Sequence, residues 1–586
     1  MTDFFQDPPV LGNQYDEDRT LRRYLARRLP AAMLSEVERD LRRFGARCVG
    51  DIAQLGEDAH AHPPMLRPFD PWGNRIDEIE TSRGWQELDR VSAEEGIVAI
   101  GYERRFGALS RVYQFAKLYL FNPPSAIYTC PLAMTDGAAR LLEVMGDAEQ
   151  KAGALRRLTT RDPAEFWTSG QWMTERTGGS DVGRTETIAR QETGPWYRLH
   201  GTKWFTSATT AQMAMTLARI EDASGAATAG SRGLSLFYLE TRDADGRLNN
   251  IVIHRLKDKL GTRSLPTAEL GLMGTRAKLV GKPGEGVRNI TTLVNVTRLY
   301  NAICAAATLR RGLALSRDYA TRREAFGKRL IDQPLHAATL ADLEVEFQGG
   351  FHLAMRAVEL LGKEECGEAT PDEAAVLRLL TPLAKLYTAR QAVSAMSEVL
   401  ESFGGAGYIE DTGLPRLLRD AQVLSIWEGT TNVLSLDALR AIDKSNALGP
   451  FLAEIDELLA GVTLAELSAP VEQARQAARR ARAFLPLAMA EGMDALQAGA
   501  RSFAFSLARL MAAALLLDEA QHDFQTHGDR HGCAIARRWC ATRLTAPVEN
   551  DRDWLAENEA LARDLEIRDL EVAQGQTGAS LKSNRR

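Results

Sequence analysis

The chain has 586 residues, more than one hydrophobic core organises, so three or four domains are expected. Hydrophobic residues make up 45% and charged residues 26%, the balance of a globular protein rather than a fibrous or disordered one. The formal net charge of −6 gives no whole-chain reason to expect nucleic acid or an anionic membrane as partner.

Six cysteines (Cys48, Cys130, Cys304, Cys366, Cys533, Cys540) contain no C-x-x-C pair, so buried reduced thiols are expected, with neither a disulfide framework nor a metal site. The acidic start, MTDFFQDPPVLGNQYDED, has no apolar core of a signal peptide. No apolar run is long and charge-free enough to span a bilayer, since MAAALLLDEA is interrupted early. The expected compartment is the cytoplasm.

In chain order, residues 16–160 show helical periodicity, notably over 16–29, 30–44 and 85–99. PPMLRPFDPWGNR (63–75) reads as an irregular Pro-rich stretch between helices. Between 168 and 287, short β-prone runs such as WYRLHGTKWFTS and LSLFYLE are separated by Gly, Asp and Ser turns, predicting a compact antiparallel β-domain. Helical periodicity returns over 290–320, 334–361, 372–403 and 430–442, with FGGAGYIEDTGLP (403–415) too Gly-rich for a helix interior. SNALGP (445–450) reads as a linker into an Ala-, Leu- and Arg-rich helical region, 451–582. The expected fold class is therefore α+β. An N-terminal helical domain (1–167) precedes a small antiparallel β-domain (168–287), a second helical bundle (288–445) and an extra C-terminal helical domain (446–586).

Four segments could carry chemistry. In GQWMTERTGGSDVGRTE (170–186), Gly178, Gly179 and Ser180 allow close backbone approach and offer amide donors to an anion, with the Thr174 hydroxyl beside them. A plain Gly-rich turn is the alternative, and the lysine and spacing of a phosphate-binding P-loop are missing. In HGTKWFTSATT (200–210), Trp204 and Phe205 next to Thr206 suit a flat heterocycle needing stacking and one hydrogen bond, although a strand Trp is more often core. In TRREAFGKRLIDQPL (321–335), Arg323 and Phe326 are expected on a helix end closed by Gly327. There Arg323 can clamp phosphate and Phe326 cover a base, or the segment is a helix cap with surface arginines. In the segment 399–440, which runs from VLESFGGAGY through SIWEGTTN to LDALR, Glu428 sits between an apolar run and Gly429, where a carboxylate is a stronger base than in water; a helix-start carboxylate near Thr430 or Thr431 is the alternative.

Taken together and in this order, MTERTGGSD, KWFTS, RREAFG, FGGAGY and IWEGTTN resemble the signature elements of the acyl-CoA dehydrogenases over about residues 60–440. Within that superfamily, HPPMLRPFDPWGNRIDEIE, HRLKDKLGTRS, FGKRLIDQPL and the extra C-terminal helices look like the AidB-like branch, which includes the bacterial alkylation-response protein and related animal enzymes.

The resemblance implies a homotetramer holding FAD between the β-domain and the second helical domain. Met173, Thr174, Gly179 and Ser180 would contact the flavin and its diphosphate, Trp204, with Phe205 beside it, would lie against the isoalloxazine ring, and Thr206 would sit near its reactive nitrogen. Arg323, Phe326 and Gln333 would serve FAD held by a neighbouring subunit, although Gln333 stands one place earlier than the usual family glutamine. Gly404 and Gly405, with Thr430 and Asn432, would complete the site. Glu428 would remove the α-proton of an acyl-CoA while the β-hydride passes to the flavin, with Arg298 nearby and an electron-transferring flavoprotein as acceptor. Family members often carry an Asp three residues before this Arg; the stretch here is NVTR, with Asn295, which alters the charge balance around Glu428.

The rival reading is a flavin-containing DNA-binding protein of the alkylation response with weak dehydrogenase activity, which needs a basic face. Residues 451–586 carry 16 Lys plus Arg against 20 Asp plus Glu, and the arginine clusters at 474–484 and 536–543 read as solvated helix faces, so DNA is not favoured. A non-catalytic acyl-lipid sensor on the same fold is a third possibility, and the apolar run FAFSLARLMAAALLL favours a C-terminal domain that covers an interface.

Overall fold

The computed structural model describes residues 7–547 and 551–567; the last part of the expected C-terminal helical region lies outside them. The chain begins with α1 (Arg19–Arg28), α2 (Ala31–Arg47) and α3 (Asp51–Ala61). The stretch expected to be irregular is instead an antiparallel hairpin, β1 (Met65–Phe69) and β2 (Arg75–Glu80), turned by the Asp70 carboxylate accepting from the Trp72 and Asn74 amides. Pro-rich composition hid it because Pro68 is tolerated in a two-stranded edge. Helices α4 (Arg83–Glu94), α5 (Ala99–Glu103), α6 (Leu109–Phe121) and α7 (Thr129–Met145) follow. A short helical run, α8 (Ala148–Gln150) and α9 (Arg156–Leu158), then leads into the sheet.

The sheet comprises β3 (Ser169–Trp172), β4 (Ile188–Gln191), β5 (Trp196–Ser207), β6 (Met213–Ile220), β7 (Leu234–Glu240), β8 (Ile251–Leu256) and β9 (Thr267–Val280). Most pairings are antiparallel, but β6 runs parallel to both β3 and β4. Strands β6, β7, β9, β5 and β4 close into a ring, which removes most free edges. Along the exposed edge of β8 lies the β1–β2 hairpin: Asp77 Oδ2 accepts from the Ile253 amide at 2.9 Å, and Arg75 donates to the Ile253 carbonyl at 2.9 Å.

The second bundle is built on α10 (Gly286–Arg322), a helix of 37 residues that packs on α7, α11 (Pro334–Glu365) and α12 (Pro371–Ser402). Between α10 and α11, β10 (Glu324–Ala325) and β11 (Lys328–Arg329) form a small hairpin. After α12 the chain makes short 3-10 turns, as the glycines of FGGAGY require, and enters α13 (Leu414–Leu424) and α14 (Thr431–Ser445). Asn446, in the left-handed conformation, ends α14 and replaces the expected linker by a sharp turn into α15 (Leu448–Ala460). The C-terminal domain continues through α16 (Ser468–Glu491), α17 (Met493–His527), α18 (His531–Arg543) and α19 (Arg552–Ala562).

Helix α17 corrects one expectation, because by length and composition it could cross a membrane. Yet 78% of its most apolar stretch is buried inside the protein, against α11, α14, α15, α16 and α18, as a core helix would be. Among the described residues no cysteine is in a disulfide, and all but Cys366 are buried.

Candidate functional site

Glu428 lies in the turn between α13 and α14, with φ +57°, a left-handed conformation uncommon for a side chain of this size. It is therefore neither a helix-start nor a capping carboxylate, since the N-cap of α14 is Thr430. Two other elements hold this turn. From α10, Thr297 donates its hydroxyl to Glu428 Oε2 at 2.7 Å, Arg298 Nε donates to the Glu428 carbonyl at 3.2 Å, and Asn301 donates to the Leu424 carbonyl at 3.1 Å. From α12, the fully buried Lys385 ammonium donates at 2.7 Å to the carbonyls of both Trp427 and Gly429. Burial pushes Lys385 down to about 7 against the pull of the Glu428 carboxylate.

Arg298 spends its other branch on Asp437 of α14 at 2.7 Å, and Arg378 of α12 binds the same carboxylate at 2.7 Å. Burial alone would raise the Asp437 carboxyl, but Arg378 and Arg298 hold it below the usual carboxylate range. Arg298 thus has a carboxylate partner in Asp437, a residue that no sequence motif singled out. No local pattern marks it, because its partners lie 139 and 59 positions away.

The Gly-rich segment is anchored by a second buried pair. Glu175 and Lys203 meet at 2.7 Å with almost no exposure, and Glu175 also accepts from the Glu186 amide at 2.6 Å and the Thr187 hydroxyl at 2.5 Å. Burial would raise the Glu175 carboxyl, but Lys203 and these donors keep it below the usual range. The Trp204 amide donates to the Thr174 carbonyl at 2.8 Å, so Met173–Ser180 and Trp204–Thr206 form one surface. A Cβ on Gly179 would lie 2.6 Å from Thr174 Oγ1, which explains glycine there. Trp204 is half-buried with the Lys257 ammonium 3.6 Å from its ring centre, and Phe205 is exposed. Thr206 is buried and its hydroxyl donates to the Ala268 carbonyl at 2.7 Å, so toward a ligand its oxygen presents only acceptor lone pairs.

The remaining expected residues form a separate group. Arg323 ends α10 in extended conformation, and Phe326 is not on the helix end as expected but at the tip of the β10–β11 hairpin. There Phe326 (φ +51°) and Gly327 (φ +74°) make the two-residue turn and Phe326 is fully exposed. Gln333 donates to the Ala325 carbonyl at 3.0 Å and braces the hairpin. The Gly404–Gly405 turn joins this group, because the ends of α10 and α12 meet through Tyr319 and Phe403, ring centres 4.6 Å apart. It is not beside Thr430 and Asn432, the latter of which accepts from Arg501 of α17 at 3.1 Å. From Arg298 to Arg323 is about 37 Å along α10 at the helical rise, so within one chain the two groups lie at opposite poles.

Does this surface suit a flavin? Buried polar atoms in these segments lack a partner within the protein, among them Gln171 Oε1 and Trp172 Nε1 at the start of the Gly-rich segment and Trp427 Nε1 beside Glu428. Such atoms fit a polar ligand between the β-domain and the Glu428 turn. Among the described residues no cluster of metal-ligating side chains occurs.

Comparison with known proteins covers nearly the whole chain. Four family profiles match: "Adaptive response protein AidB N-terminal domain" over residues 6–162 and "Acyl-CoA dehydrogenase, middle domain" over 170–274. "Acyl-CoA dehydrogenase, C-terminal domain" matches 284–442, and "Acyl-CoA dehydrogenase 11 C-terminal domain-like" matches 446–567. Acyl-CoA dehydrogenase family member 11 of Caenorhabditis elegans is 44% identical over 96% of this chain and 92% of its own length. The putative acyl-CoA dehydrogenase AidB of Escherichia coli is 33% identical over 68% of this chain and 73% of its own. The crystal structure of C. elegans ACDH-11 in complex with C11-CoA superposes with a TM-score of 0.93 at 42% identity, covering 96% of this chain and 97% of that one.

Proposed function

The chain belongs to the acyl-CoA dehydrogenase family, and from that premise we propose that it desaturates an acyl-CoA between Cα and Cβ to the trans-2-enoyl thioester, with Glu428 as base and FAD as cofactor. The observation that carries this reading is the Glu428 turn itself: a carboxylate held in left-handed backbone by Thr297, Arg298 and Lys385, next to unpartnered buried polar atoms.

Bound FAD supplies the acceptor for the β-hydrogen as hydride. Met173, Thr174, the Gly179–Ser180 turn, Trp204, Phe205 and Thr206 would hold it from the β-domain, and Thr430 and Asn432 from the helical side. With Thr297 occupying Oε2, Oε1 of Glu428 is left to take the α-proton. The Glu428 amide would donate to the thioester oxygen and stabilise the enolate charge as the C–H bond breaks. Thr297 gives the carboxylate one fixed hydrogen bond, so proton transfer starts from an aligned oxygen.

Arg323, Phe326, Gln333 and the Gly404–Gly405 turn would complete the cofactor site of a second copy of the chain. The full exposure of Phe326 and its distance from Arg298 support an assembly in which each subunit lends this pole to a neighbour. An electron-transferring flavoprotein would reoxidise the flavin. The C-terminal domain is read as interface and pocket wall rather than DNA surface, a reading supported by the engagement of Arg479 with Glu472, Arg482 with Asp456 and Arg543 with Glu346 and Asp342.

Anaerobic titration of the flavoprotein with acyl-CoAs of increasing length tests the proposal. At least one chain length should bleach the flavin, and Glu428→Gln should bind the same ligand without bleaching. A flavin that no acyl-CoA reduces, together with salt-sensitive duplex binding, would replace this reading by the DNA-binding one.

A further inference from the structure

We propose that Lys385 is a positioning residue for thioester activation: its ammonium grips the two carbonyls flanking Glu428 and thereby fixes and polarises the Glu428 amide as a donor to the substrate carbonyl. The inference rests on the dehydrogenase reading of the Glu428 turn given above.

The burial of Lys385 is unusual for a lysine. Lys385 is 0% exposed in the middle of α12, between the buried Ala384 and Leu386. A buried ammonium ordinarily takes a carboxylate partner, because desolvating an unpaired charge is expensive. Lys385 instead uses main-chain oxygens, those of Trp427 and Gly429, each at 2.7 Å. Were its purpose only to fill space, a methionine would fill the same volume without that penalty.

The choice of these two oxygens has a geometric consequence. The Trp427 carbonyl belongs to the same planar peptide unit as the Glu428 N–H, and in a trans peptide the two point in opposite directions. A cation anchored on α12 therefore aims the Glu428 N–H away from α12, toward the side on which the substrate lies in the proposed mechanism. Charge placed against the carbonyl oxygen also draws electron density through the amide, and so strengthens the N–H as a donor. The second bond, to the Gly429 carbonyl, holds the Gly429–Thr430 peptide, so Lys385 clamps the turn on both sides of the positive φ values of Glu428 (+57°) and Gly429 (+104°). A turn that departs from favoured backbone geometry needs such an external clamp to persist. Arg298 of α10 completes it by donating to the Glu428 carbonyl, while its charge is balanced by Asp437 of α14. The Lys385 ammonium, when protonated, is drawn by the Glu428 carboxylate and acts on the two peptides that its hydrogen bonds grip.

The test uses the FAD-loaded enzyme and a chromophoric thioester, an arylacryloyl-CoA, whose absorption shifts to the red when its carbonyl is polarised. Wild type should shift the band. Lys385→Met should retain FAD and bind the thioester within about threefold, yet lose most of the red shift and reduce flavin about 100-fold more slowly with its best acyl-CoA, the lower end of what loss of an oxyanion donor causes. Lys385→Gln, which keeps a donor without the charge, should fall between the two. A full red shift in either variant overturns the inference, as does failure of both to hold FAD, which would make Lys385 a structural anchor only. The absence of any shift in wild type also overturns it. Absence of flavin bleaching in wild type with every acyl-CoA sinks the dehydrogenase reading itself, whereas normal bleaching with an unaltered Lys385→Met spectrum sinks only the role of Lys385.

Discussion

At the scale of single residues, the site is a set of charges that each need a partner from elsewhere in the chain. Glu428 and Arg298 were legible because they stand in motifs, IWEGTTN and NVTR. Thr297, Lys385, Asp437 and Glu175 were not, because what defines them is a contact across 28 to 139 positions rather than a local pattern. Lys203 stands inside KWFTS, but only its buried meeting with Glu175 gives it a role. Removing one partner of a buried pair leaves an uncompensated charge, so Lys203→Met should destabilise the protein by about 3 kcal/mol. Because Glu175 anchors the Gly-rich segment, the same variant should weaken FAD retention, measured by flavin fluorescence on dilution. A variant with native stability and FAD affinity would show the pair to be dispensable. Asp437→Ala should cost less, about 2 kcal/mol, since both arginines keep some solvent contact. It should also slow flavin reduction by freeing Arg298 beside the base, a change that stopped-flow absorbance would register.

At the scale of elements, periodicity located the long helices and the run of short strands because those patterns repeat along the chain. The two hairpins were hidden for opposite reasons. The segment 63–75 looked irregular because of its prolines, and the partner surface of its hairpin, the edge of β8, lies more than 170 positions away. The segment 324–329 looked like a helix end because four strand residues carry no detectable alternation. Asp77 makes the first of these testable. Its carboxylate accepts from both the Ile253 amide and Arg75, so Asp77→Ala should lower stability by about 1–3 kcal/mol in urea denaturation. It should also raise the tendency to aggregate through the uncovered β8 edge. Unchanged denaturation and light scattering would mean that the hairpin does not protect the edge.

At the scale of the whole molecule, N- and C-terminal helices are tied together by ion pairs. Arg23 meets Asp523 at 2.8 Å, and Arg27 meets Asp518 at 2.7 Å and Glu519 at 2.6 Å, joining α1 to α17. Beneath this belt His352 is buried, and burial pushes its pKa down to about 3. An unfolded histidine titrates near 6.5, so between pH 6.5 and 3 the unfolded chain binds a proton that the folded one does not. Stability from this source is complete above pH 6.5 and is lost as the pH falls, at up to about 1.4 kcal/mol per pH unit. Glu95 adds a second step: burial would raise it, but Arg43 and Lys117 hold it at about 2. Its contribution is present above the unfolded value near 4.5 and is lost toward pH 2. The melting temperature should therefore begin to fall below pH 6.5 and fall more steeply below 4.5. His352→Leu should flatten the first part, and an unchanged profile in that variant would assign it to other groups.

The sequence by itself determined the order of helical, β and helical regions, the family, and the motif residues around Glu428, because these depend on local periodicity and on short runs of chemistry-bearing residues. Tertiary structure decided which charges neutralise which, that Asp437 is the carboxylate partner of Arg298, that Lys385 grips the Glu428 turn, and that Arg323, Phe326 and Gly404–Gly405 lie at the pole opposite Glu428. The physical reason is that electrostatic partnership depends on distance through space. Here that distance is fixed by the packing of α10, α12 and α14, elements whose contacts no local stretch of the chain records.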